Sequence, residues 1–287
     1  MGRYLVQSLA SLFAQDYPNI QVLVRDGGSR DETIRLLEKY GTLLQWVSQP
    51  DGGPSHALRA GFAEARGSIL AWLNADDLLE PRAVRRAVEI FESQPGLVAV
   101  YGEGVWIDEA GVVLGRYPTQ DYTPGLLATD CFICQPACFF RAEAYRKAGG
   151  IDPGLSCSFD YDLWLRLSKL GPFLHVHEPF AQSRMYAANK SLRQRDVVYR
   201  EGMKLLRRHY GYVPYHWVHS YTCYRIDGRD QFFQPIRPSR YTHLRSLPAG
   251  LWWNRGKPVR YMSEWLSHTM LRPLVARFSK SGYGRRG

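Results

Sequence analysis

Short apolar runs alternate with amphipathic segments along the first third of the chain. Leu5, Leu9 and Leu12 recur at helical spacing within Tyr4–Ala14, whereas Ile20–Val24 is a compact apolar run typical of a strand. The alternation then repeats and predicts, in chain order, a helix at Ser29–Tyr40, a strand at Leu43–Ser48, a helix at Ser55–Ala65, a strand at Ile69–Leu73, a helix at Pro81–Glu92 and a strand at Leu97–Tyr101. Strands that alternate with helices in this way form βαβ units, so the pattern predicts an α/β fold with a mostly parallel sheet flanked by helices.

The pattern becomes less regular after Tyr101. It predicts strands at Val112–Tyr117 and Phe132–Arg141 and helices at Arg141–Gly149, Asp160–Lys169 and Ser191–Tyr210. Charge also changes along the chain: residues 1–186 hold 17 Lys and Arg against 22 Asp and Glu, whereas residues 187–287 hold 20 against 5. We therefore expect one domain over residues 1–190 and a basic, Trp-rich extension, mainly helical or irregular, over residues 191–287.

Carboxylates follow three of the predicted strands. Asp26, Asp51 and the adjacent pair Asp76 and Asp77 each come directly after an apolar run. Right-handed crossovers place the carboxyl ends of parallel strands along one edge of a sheet, which is where α/β folds bind ligands. Oxygen ligands of this kind suit Mg²⁺ or Mn²⁺ that also contacts substrate phosphates. The alternative is a solvated turn before the helix that begins near Pro81.

Bulk composition excludes several classes of protein. Hydrophobic residues make up 45% and charged residues 22%, which is typical of a globular protein. The sequence contains no apolar run of the roughly 18 residues that a membrane span needs and no signal peptide, and its five cysteines form no disulfide framework. Cys131 and Cys134 have CxxC spacing, but strand-forming residues surround them and a buried strand is expected. We expect a cytoplasmic protein.

Five motifs occur in an order that resembles the family-2 glycosyltransferases of GT-A fold. They are SLFAQDYPNIQVLVRDGGSRDET, SQPDGGPSHALRAGF, ILAWLNADD, QPACFFRAEAYRKAGGID and FDYDLWLRL. The resemblance covers residues from Arg3 to about Lys190. It implies an inverting, metal-dependent enzyme that transfers a sugar from a UDP-, GDP- or dTDP-sugar to a saccharide or lipid-linked acceptor, in surface polysaccharide or glycan synthesis.

The resemblance assigns the nucleotide pocket to the loops after the first strands. Asp26 matches the carboxylate that contacts the nucleotide base, and Gly27 and Gly28 let the backbone approach the nucleotide. Asp51 matches a second pocket-lining position, and Asn74 stands where the first Asp of the family's DxD-type motif often lies. From the residues alone, Asp26 and Asp51 also fit ordinary turns between a strand and a helix.

The same resemblance assigns the reacting groups. Asp76 matches the metal-binding carboxylate of the motif, and Asp77 either assists it or caps the following turn. Asp160 matches the catalytic base, which takes the proton of the acceptor hydroxyl as that oxygen attacks the anomeric carbon. Its alternative is the N-cap of the helix that it begins.

Two departures from the family pattern change the expectations. Tyr186 stands where the family often has a His near the diphosphate, which leaves Arg184 and Lys190 as the expected phosphate partners. Family members also open with a buried strand before the first helix, whereas this sequence begins within that helix. We expect that the first strand is lacking, through a truncation or a misassigned start codon.

The basic extension over residues 191–287 has the composition of a membrane-binding surface. Trp and Arg together suit an anionic membrane surface, and we predict an interfacial helix with an apolar side formed by Met262, Trp265, Leu266, Thr269 and Met270, interrupted by Pro273. The alternative is a subdomain packed on itself with solvated charges. No nucleic acid is expected, because acidic loops line the sheet edge.

Two other functions compete with glycosyl transfer. One is a catalytically degenerate relative that binds a nucleotide or an anionic partner, and the other is a nucleotidyltransferase on a similar fold.

Overall fold

The computed structural model describes residues 2–270, and the chain divides into two compact units. The first unit ends at Arg193 and the second begins at Gln194. Pro273 of the predicted interfacial helix lies outside the described residues, as do the side chains of Thr269 and Met270.

The first unit combines helices with short strands. Its strands are β1 (Leu23–Asp26), β2 (Gln45–Ser48), β3 (Ile69–Leu70), β4 (Leu78–Leu79), β5 (Ala99–Ile107), β6 (Val113–Arg116), β7 (Cys138–Arg141) and β8 (Phe173–Arg184). Its helices are α1 (Gly2–Phe13), α2 (Thr33–Glu38), α3 (Pro54–Glu64), α4 (Ala83–Ser93), α5 (Ala142–Lys147), α6 (Phe159–Leu167) and α7 (Lys190–Arg193).

The strands form a parallel pair and a mixed six-stranded sheet. β1 pairs with β2 in parallel, and the larger sheet has the order β3-β7-β5-β8-β4, with β6 on β5. Only β5 and β8 run parallel in the larger sheet; its other pairings are antiparallel within the described residues. The parallel share is therefore smaller than the sequence pattern predicts.

Apolar clusters hold the first unit together, and two of them position the strand ends. On α1, the helically spaced Leu5 and Leu9 pack against Leu37 of α2 and Leu44, which explains the apolar periodicity of this helix. The larger cluster joins one face of α4 to the sheet; its buried members include Phe91, Val100 and Phe180. Burying such side chains contributes about 1.5–3 kcal/mol each. These clusters fix the strand ends from which the polar loops project.

β3 and β7 are shorter than predicted, and β4 and β8 were not among the predicted strands. β3 ends at Leu70 rather than at Leu73. The strand expected over Phe132–Arg141 is shorter, because a 3₁₀ turn at Gln135–Ala137 precedes β7. β8 is the longest strand, and it pairs with β5 on one side and β4 on the other. Its partners are distant in sequence, so local patterns do not reveal it.

The second unit is helical. Its helices are α8 (Arg195–Tyr210), α9 (Tyr215–Asp227), α10 (Arg240–Trp253) and α11 (Pro258–Met270). Trp217 of α9 and Trp265 of α11 are buried, and Trp265 donates a hydrogen bond to the carbonyl of His243 at 3.1 Å. Trp265 therefore packs inside this unit rather than facing outward as the interfacial-helix prediction requires. Among residues 2–270, the helices are too short or too polar to cross a bilayer.

Candidate active site

Two adjacent carboxylates are buried in the turn between β3 and β4. Asp76 is 7% exposed and Asp77 is 3% exposed. Asp77 accepts hydrogen bonds from the backbone N–H of Arg184 at 2.8 Å and from the side-chain amide of Asn74 at 2.9 Å. Asp76 Oδ2 accepts a hydrogen bond from the hydroxyl of Tyr186 at 2.9 Å. The alternative of a solvated turn is therefore excluded for these two side chains.

The electrostatic state of the pair favours a bound cation. Burial raises the pKa of Asp77 to about 7, and the charge of Asp76 adds to this effect. Burial also raises the pKa of Asp76, although the hydrogen bond from Tyr186 and the charge of Arg184 act in the opposite direction. Two buried carboxylates whose mutual repulsion is only partly offset form a site in which a divalent cation would stabilise both charges.

Arg184 supports the turn instead of facing a ligand. Its side chain is 1% exposed, and its guanidinium donates to the carbonyls of Asp76 at 2.9 Å and Asp108 at 2.7 Å and to Gln7 Oε1 at 2.8 Å. Four of the five N–H groups of this guanidinium donate to protein oxygens, and its burial keeps it from a phosphate in the pocket. The expectation of a phosphate ligand is corrected: Arg184 positions the turn. The ammonium of Lys190 donates to a backbone carbonyl at 2.7 Å and remains accessible.

Asp160 lies in the first turn of α6. Its Oδ1 accepts a hydrogen bond from the backbone N–H of Tyr161 at 2.7 Å, and Ser158 is the N-cap, so Asp160 is not the N-cap residue. Burial raises the pKa of the Cys134 thiol, and the charges of Asp77 and Asp160 raise it further. The ring of Phe159, the residue before Asp160, lies 6.5 Å from the ring of Trp72 in the segment after β3. The start of α6 therefore packs against the segment that leads to the buried carboxylate pair.

The carboxylate of Asp26 organises its own loop. It accepts hydrogen bonds from the backbone N–H groups of Gly28 at 3.0 Å and Ser29 at 2.8 Å and from the hydroxyls of Ser29 at 2.5 Å and Ser48 at 2.6 Å. Partial burial would raise the pKa of Asp26, but the hydrogen bonds from Ser29 and Ser48 outweigh it and the pKa is lowered. Asp26 is therefore ionised at neutral pH and holds the loop between β1 and α2 in a fixed shape.

The glycines of this loop meet the loop after β2. A Cβ atom on Gly27 would lie 3.1 Å from Asp51 Oδ1, and one on Gly28, whose φ is +84°, would lie 3.2 Å from the nitrogen of Pro50. Asp51 accepts a hydrogen bond from the N–H of Gly53 at 2.7 Å and is exposed. The structure therefore brings Asp26, Gly27, Gly28 and Asp51 together at the carboxyl ends of β1 and β2.

A family model decides the class of protein. The model of glycosyl transferase family 2 matches residues 2–149. The chain belongs to glycosyl transferase family 2. Chondroitin synthase of Escherichia coli is 28% identical to this glycosyltransferase over 200 residues, which cover 68% of this chain and 29% of that protein. The chain therefore spans less than a third of the length of that relative.

Solved structures identify the fold of this glycosyltransferase. TarS of S. aureus in complex with UDP matches with a TM-score of 0.64 at 16% identity, over 96% of this chain and 82% of that chain. The mannosyltransferase PcManGT from Pyrobaculum calidifontis, in complex with GDP-Man and Mn²⁺, matches with a TM-score of 0.52 at 16% identity, over 98% and 76%. The predicted GT-A fold is confirmed.

Two residues of the site in this glycosyltransferase were not assigned from sequence. Gln135 accepts a hydrogen bond from the Asn74 amide at 3.0 Å and donates to the carbonyl of Trp72 at 2.8 Å, so it holds Asn74 in place. The sequence feature that could have indicated this role is a polar residue, Gln135, between Cys134 and a proline in an otherwise apolar stretch. Tyr186, expected only to replace a His, instead hydrogen-bonds Asp76 directly.

Substituting Tyr186 tests the contact with Asp76. Tyr186→Phe should lower the free energy of unfolding by about 1–3 kcal/mol, because it leaves a buried carboxylate without its donor. Urea unfolding of the metal-free protein measures this loss. Tyr4→Phe is the matched control, since the Tyr4 hydroxyl donates to the exposed carboxylate of Glu109, which water can solvate. Equal losses for the two variants would contradict the assigned role of Tyr186.

Proposed function

We propose that this glycosyltransferase is an inverting, metal-dependent enzyme that transfers a sugar from a nucleotide sugar to a saccharide or lipid-linked acceptor, in surface polysaccharide or glycan synthesis. The observation that carries the proposal is the buried carboxylate pair Asp76 and Asp77, because the segment that leads to it packs against the start of α6 through the rings of Trp72 and Phe159. The name of the chondroitin synthase relative supports a polymer of sugars as the product class.

In the proposed reaction, Asp160 is the general base. Its carboxylate takes the proton of the acceptor hydroxyl while the acceptor oxygen forms a bond to the anomeric carbon. The bond from that carbon to the nucleoside diphosphate breaks on the opposite face, so the configuration inverts. Asp160 is only half-buried and lies at the first turn of α6, where an acceptor can reach it.

Asp76 is the proposed metal ligand, and Asp77 adds a second negative charge beside it. A bound Mg²⁺ or Mn²⁺ would stabilise the negative charge that develops on the departing diphosphate. The contacts from Arg184 and Asn74 orient Asp77, and the hydroxyl of Tyr186 donates a hydrogen bond to Asp76. The Mn²⁺ bound with GDP-Man in the mannosyltransferase neighbour supports this choice of cation.

The nucleotide pocket is proposed at the carboxyl ends of β1 and β2. Gly27 and Gly28 present bare backbone there, and Asp51 is exposed next to Gly27. The contact of Asp26 with the base stays a prediction, since four internal hydrogen bonds already hold its carboxylate. UDP bound to the TarS neighbour supports a nucleoside diphosphate as the ligand class.

A screen of donors tests the proposal. The protein is incubated with UDP-, GDP- and dTDP-sugars in the presence of Mn²⁺, and release of the nucleoside diphosphate is measured. We expect hydrolysis of at least one donor even without an acceptor. Binding of a nucleotide without turnover would instead favour the catalytically degenerate alternative. Release of pyrophosphate from a nucleoside triphosphate would favour nucleotidyl transfer.

The pH dependence of Mn²⁺ binding follows from the buried pair. Below its raised pKa of about 7, the carboxyl of Asp77 is protonated, and protons then compete with the cation for the site. The affinity for Mn²⁺ should therefore be highest near pH 8 and decrease as the pH falls below about 7. For one competing proton, the apparent dissociation constant should rise about tenfold between pH 8 and pH 6. Electron paramagnetic resonance of free Mn²⁺ measures it. An affinity that is independent of pH would contradict the assignment.

We also propose that the second unit meets an anionic membrane surface through a basic, aromatic groove. Lys204, Arg207 and Arg208 of α8 and Trp252 and Trp253 of α10 line a groove of about 440 Å³, and Trp252 is 59% exposed. Indole rings favour the headgroup region of a bilayer. Lys and Arg side chains bind the anionic lipids there. Peripheral association at the inner face of the membrane would bring the enzyme to a lipid-linked acceptor.

Vesicle pelleting tests the membrane proposal. Lys204→Gln/Arg207→Gln should weaken binding to phosphatidylcholine vesicles that contain phosphatidylserine, by about 1 kcal/mol for each charge removed. Arg35→Gln/Lys39→Gln removes the same charge from exposed positions of α2 and its C-cap and should have a smaller effect. Equal binding of the wild type to vesicles with and without phosphatidylserine at low salt would contradict the proposal.

A further inference from the structure

A cluster of imidazoles and carboxylates lies on the larger sheet, apart from the residues of the proposed active site. Glu103 of β5 lies beside His175 and His177 of β8, and Asp121 comes from the segment between β6 and β7. The β5–β8 ladder shifts its register at this point, because Gly102 pairs with Val176 whereas Glu103 pairs with Pro179. Such a bulge changes the direction in which side chains project.

His175 is held between two carboxylates. Its Nδ1 lies 2.7 Å from Asp121 Oδ1, and its Nε2 lies 3.0 Å from Glu103 Oε1. The side chain is only 4% exposed, and Nε2 makes no hydrogen bond within residues 2–270. If the Nδ1–H donates to Asp121, Nε2 carries a lone pair 3.0 Å from a carboxylate oxygen with which it is not aligned for a hydrogen bond. Two acceptors so close repel each other unless a positive charge lies between them.

The distances match the spacing of ligands around a tetrahedral metal. Zn²⁺ bonds of about 2.0–2.1 Å to nitrogen and oxygen place neighbouring ligand atoms about 3.3 Å apart. The separation of 3.0 Å between His175 and Glu103 is close to that value. His177 Nδ1 lies 3.8 Å from the same oxygen of Glu103, and the His177 side chain is 70% exposed, so a small rotation brings it into range. The three candidate ligand atoms lie within 4.8 Å of one another.

The surroundings of His175 resemble the support that metal-binding histidines have. Such histidines donate their second N–H to a carboxylate or carbonyl, which fixes the ring and its tautomer, and Asp121 provides that carboxylate. The ring of Tyr101 stacks on His175 with centroids 5.0 Å apart and planes 6° apart, which restrains the imidazole further. Imidazoles with a carboxylate suit Zn²⁺, whereas Mg²⁺ prefers oxygen ligands alone.

We propose that Glu103, His175 and His177 bind a Zn²⁺ ion, with Asp121 accepting the second N–H of His175. The ion joins β5 to β8 and, through Asp121, fixes the segment between β6 and β7 on the sheet. The Tyr101 hydroxyl donates to the carbonyl of Gln120 at 2.7 Å and holds the same segment. The site does not depend on the proposed function, because it shares no residue with Asp76, Asp77 or Asp160.

Zinc titration of the full chain tests this proposal. The protein is stripped with EDTA and exchanged into buffer, and Zn²⁺ is titrated in competition with a chromophoric chelator in the presence of excess Mg²⁺. We expect one tight Zn²⁺ per chain. His177→Gln and Glu103→Gln should each weaken Zn²⁺ binding at least tenfold. Asp121→Asn should weaken it by about 10–100-fold, because it removes the carboxylate that orients His175. Hydrogen exchange in residues 117–123 should slow when Zn²⁺ is added.

Two controls make the outcome decisive. His216→Gln removes an exposed histidine of α9 and should keep the wild-type zinc affinity. Asp76→Asn should keep it as well, which separates this site from the metal of the proposed reaction. Zn²⁺ binding of the same strength in wild type and in the folded double variant Glu103→Gln/His177→Gln would overturn the proposal, as would the lack of a tight Zn²⁺ in the wild type.

Discussion

Asp160→Asn should lower the rate of glycosyl transfer by about 10²–10⁴-fold, the contribution of a positioned general base. The amide has nearly the shape of the carboxylate but takes no proton from an acceptor hydroxyl. Asp160 lies in the first turn of α6, whereas the pair Asp76 and Asp77 lies in the turn between β3 and β4, so the loss should concern proton transfer and leave the cation site intact. The turnover number should fall while Mn²⁺ and nucleoside diphosphate affinities stay close to wild type.

Glu143→Gln is the matched control for this substitution. Glu143 also lies in the first turn of a short helix, α5, and its exposed carboxylate pairs with Lys147 at 2.7 Å. The control should keep full activity. A transfer rate for Asp160→Asn within tenfold of the wild type, in a protein with unchanged circular dichroism, would show that another group is the base.

Asp76→Asn should abolish Mn²⁺-dependent transfer and stabilise the metal-free protein. Losing the metal ligand removes several kcal/mol of charge stabilisation at the leaving diphosphate, which corresponds to about 10²–10⁴-fold in rate. The stability change has the opposite sign to the loss of function. A carboxyl whose folded pKa is raised stabilises the fold only when protonated, and this contribution is lost as pH rises through the folded pKa.

The two effects of Asp76→Asn are measured separately. At pH 8 in EDTA, which is above the pKa of about 7 of Asp77, the wild type buries a charged carboxylate beside Asp76, so the variant should have the higher Tm. With Mn²⁺ present, the wild type should gain stability and the variant should not. The Glu143→Gln control should change neither property. A lower Tm of Asp76→Asn in EDTA would mean that unfolding, rather than loss of a metal ligand, explains any loss of activity.

The sequence predicts the elements that depend on local patterns. α1, β2, α3 and α4 begin and end within about two residues of their predicted bounds, because apolar periodicity and turn residues determine them locally. The motifs also place Asp26 and Asp51 at the ends of the first two strands, where the structure has them, whereas Asp76 lies in the turn between β3 and β4. β4 and β8 escaped prediction, as did the antiparallel pairings of β3 with β7 and of β4 with β8, because the paired strands are distant in the chain.

The roles of charged side chains are harder to predict than their positions. Arg184 was expected at a phosphate, but carbonyls of Asp76 and Asp108 surround its guanidinium. Tyr186 was expected to lose a contact, yet it makes the hydrogen bond to Asp76. Both outcomes depend on the end of β8 meeting the turn after β3, and residues that are more than one hundred positions apart leave no local pattern.

The most direct test of the account is the metal dependence of donor turnover in the wild-type protein. Release of nucleoside diphosphate from UDP-, GDP- and dTDP-sugars is measured with Mn²⁺ and with EDTA. The account predicts release from at least one donor with Mn²⁺ and a rate lower by about 10²-fold or more in EDTA. Turnover at the same rate in EDTA would contradict the role assigned to the buried pair Asp76 and Asp77.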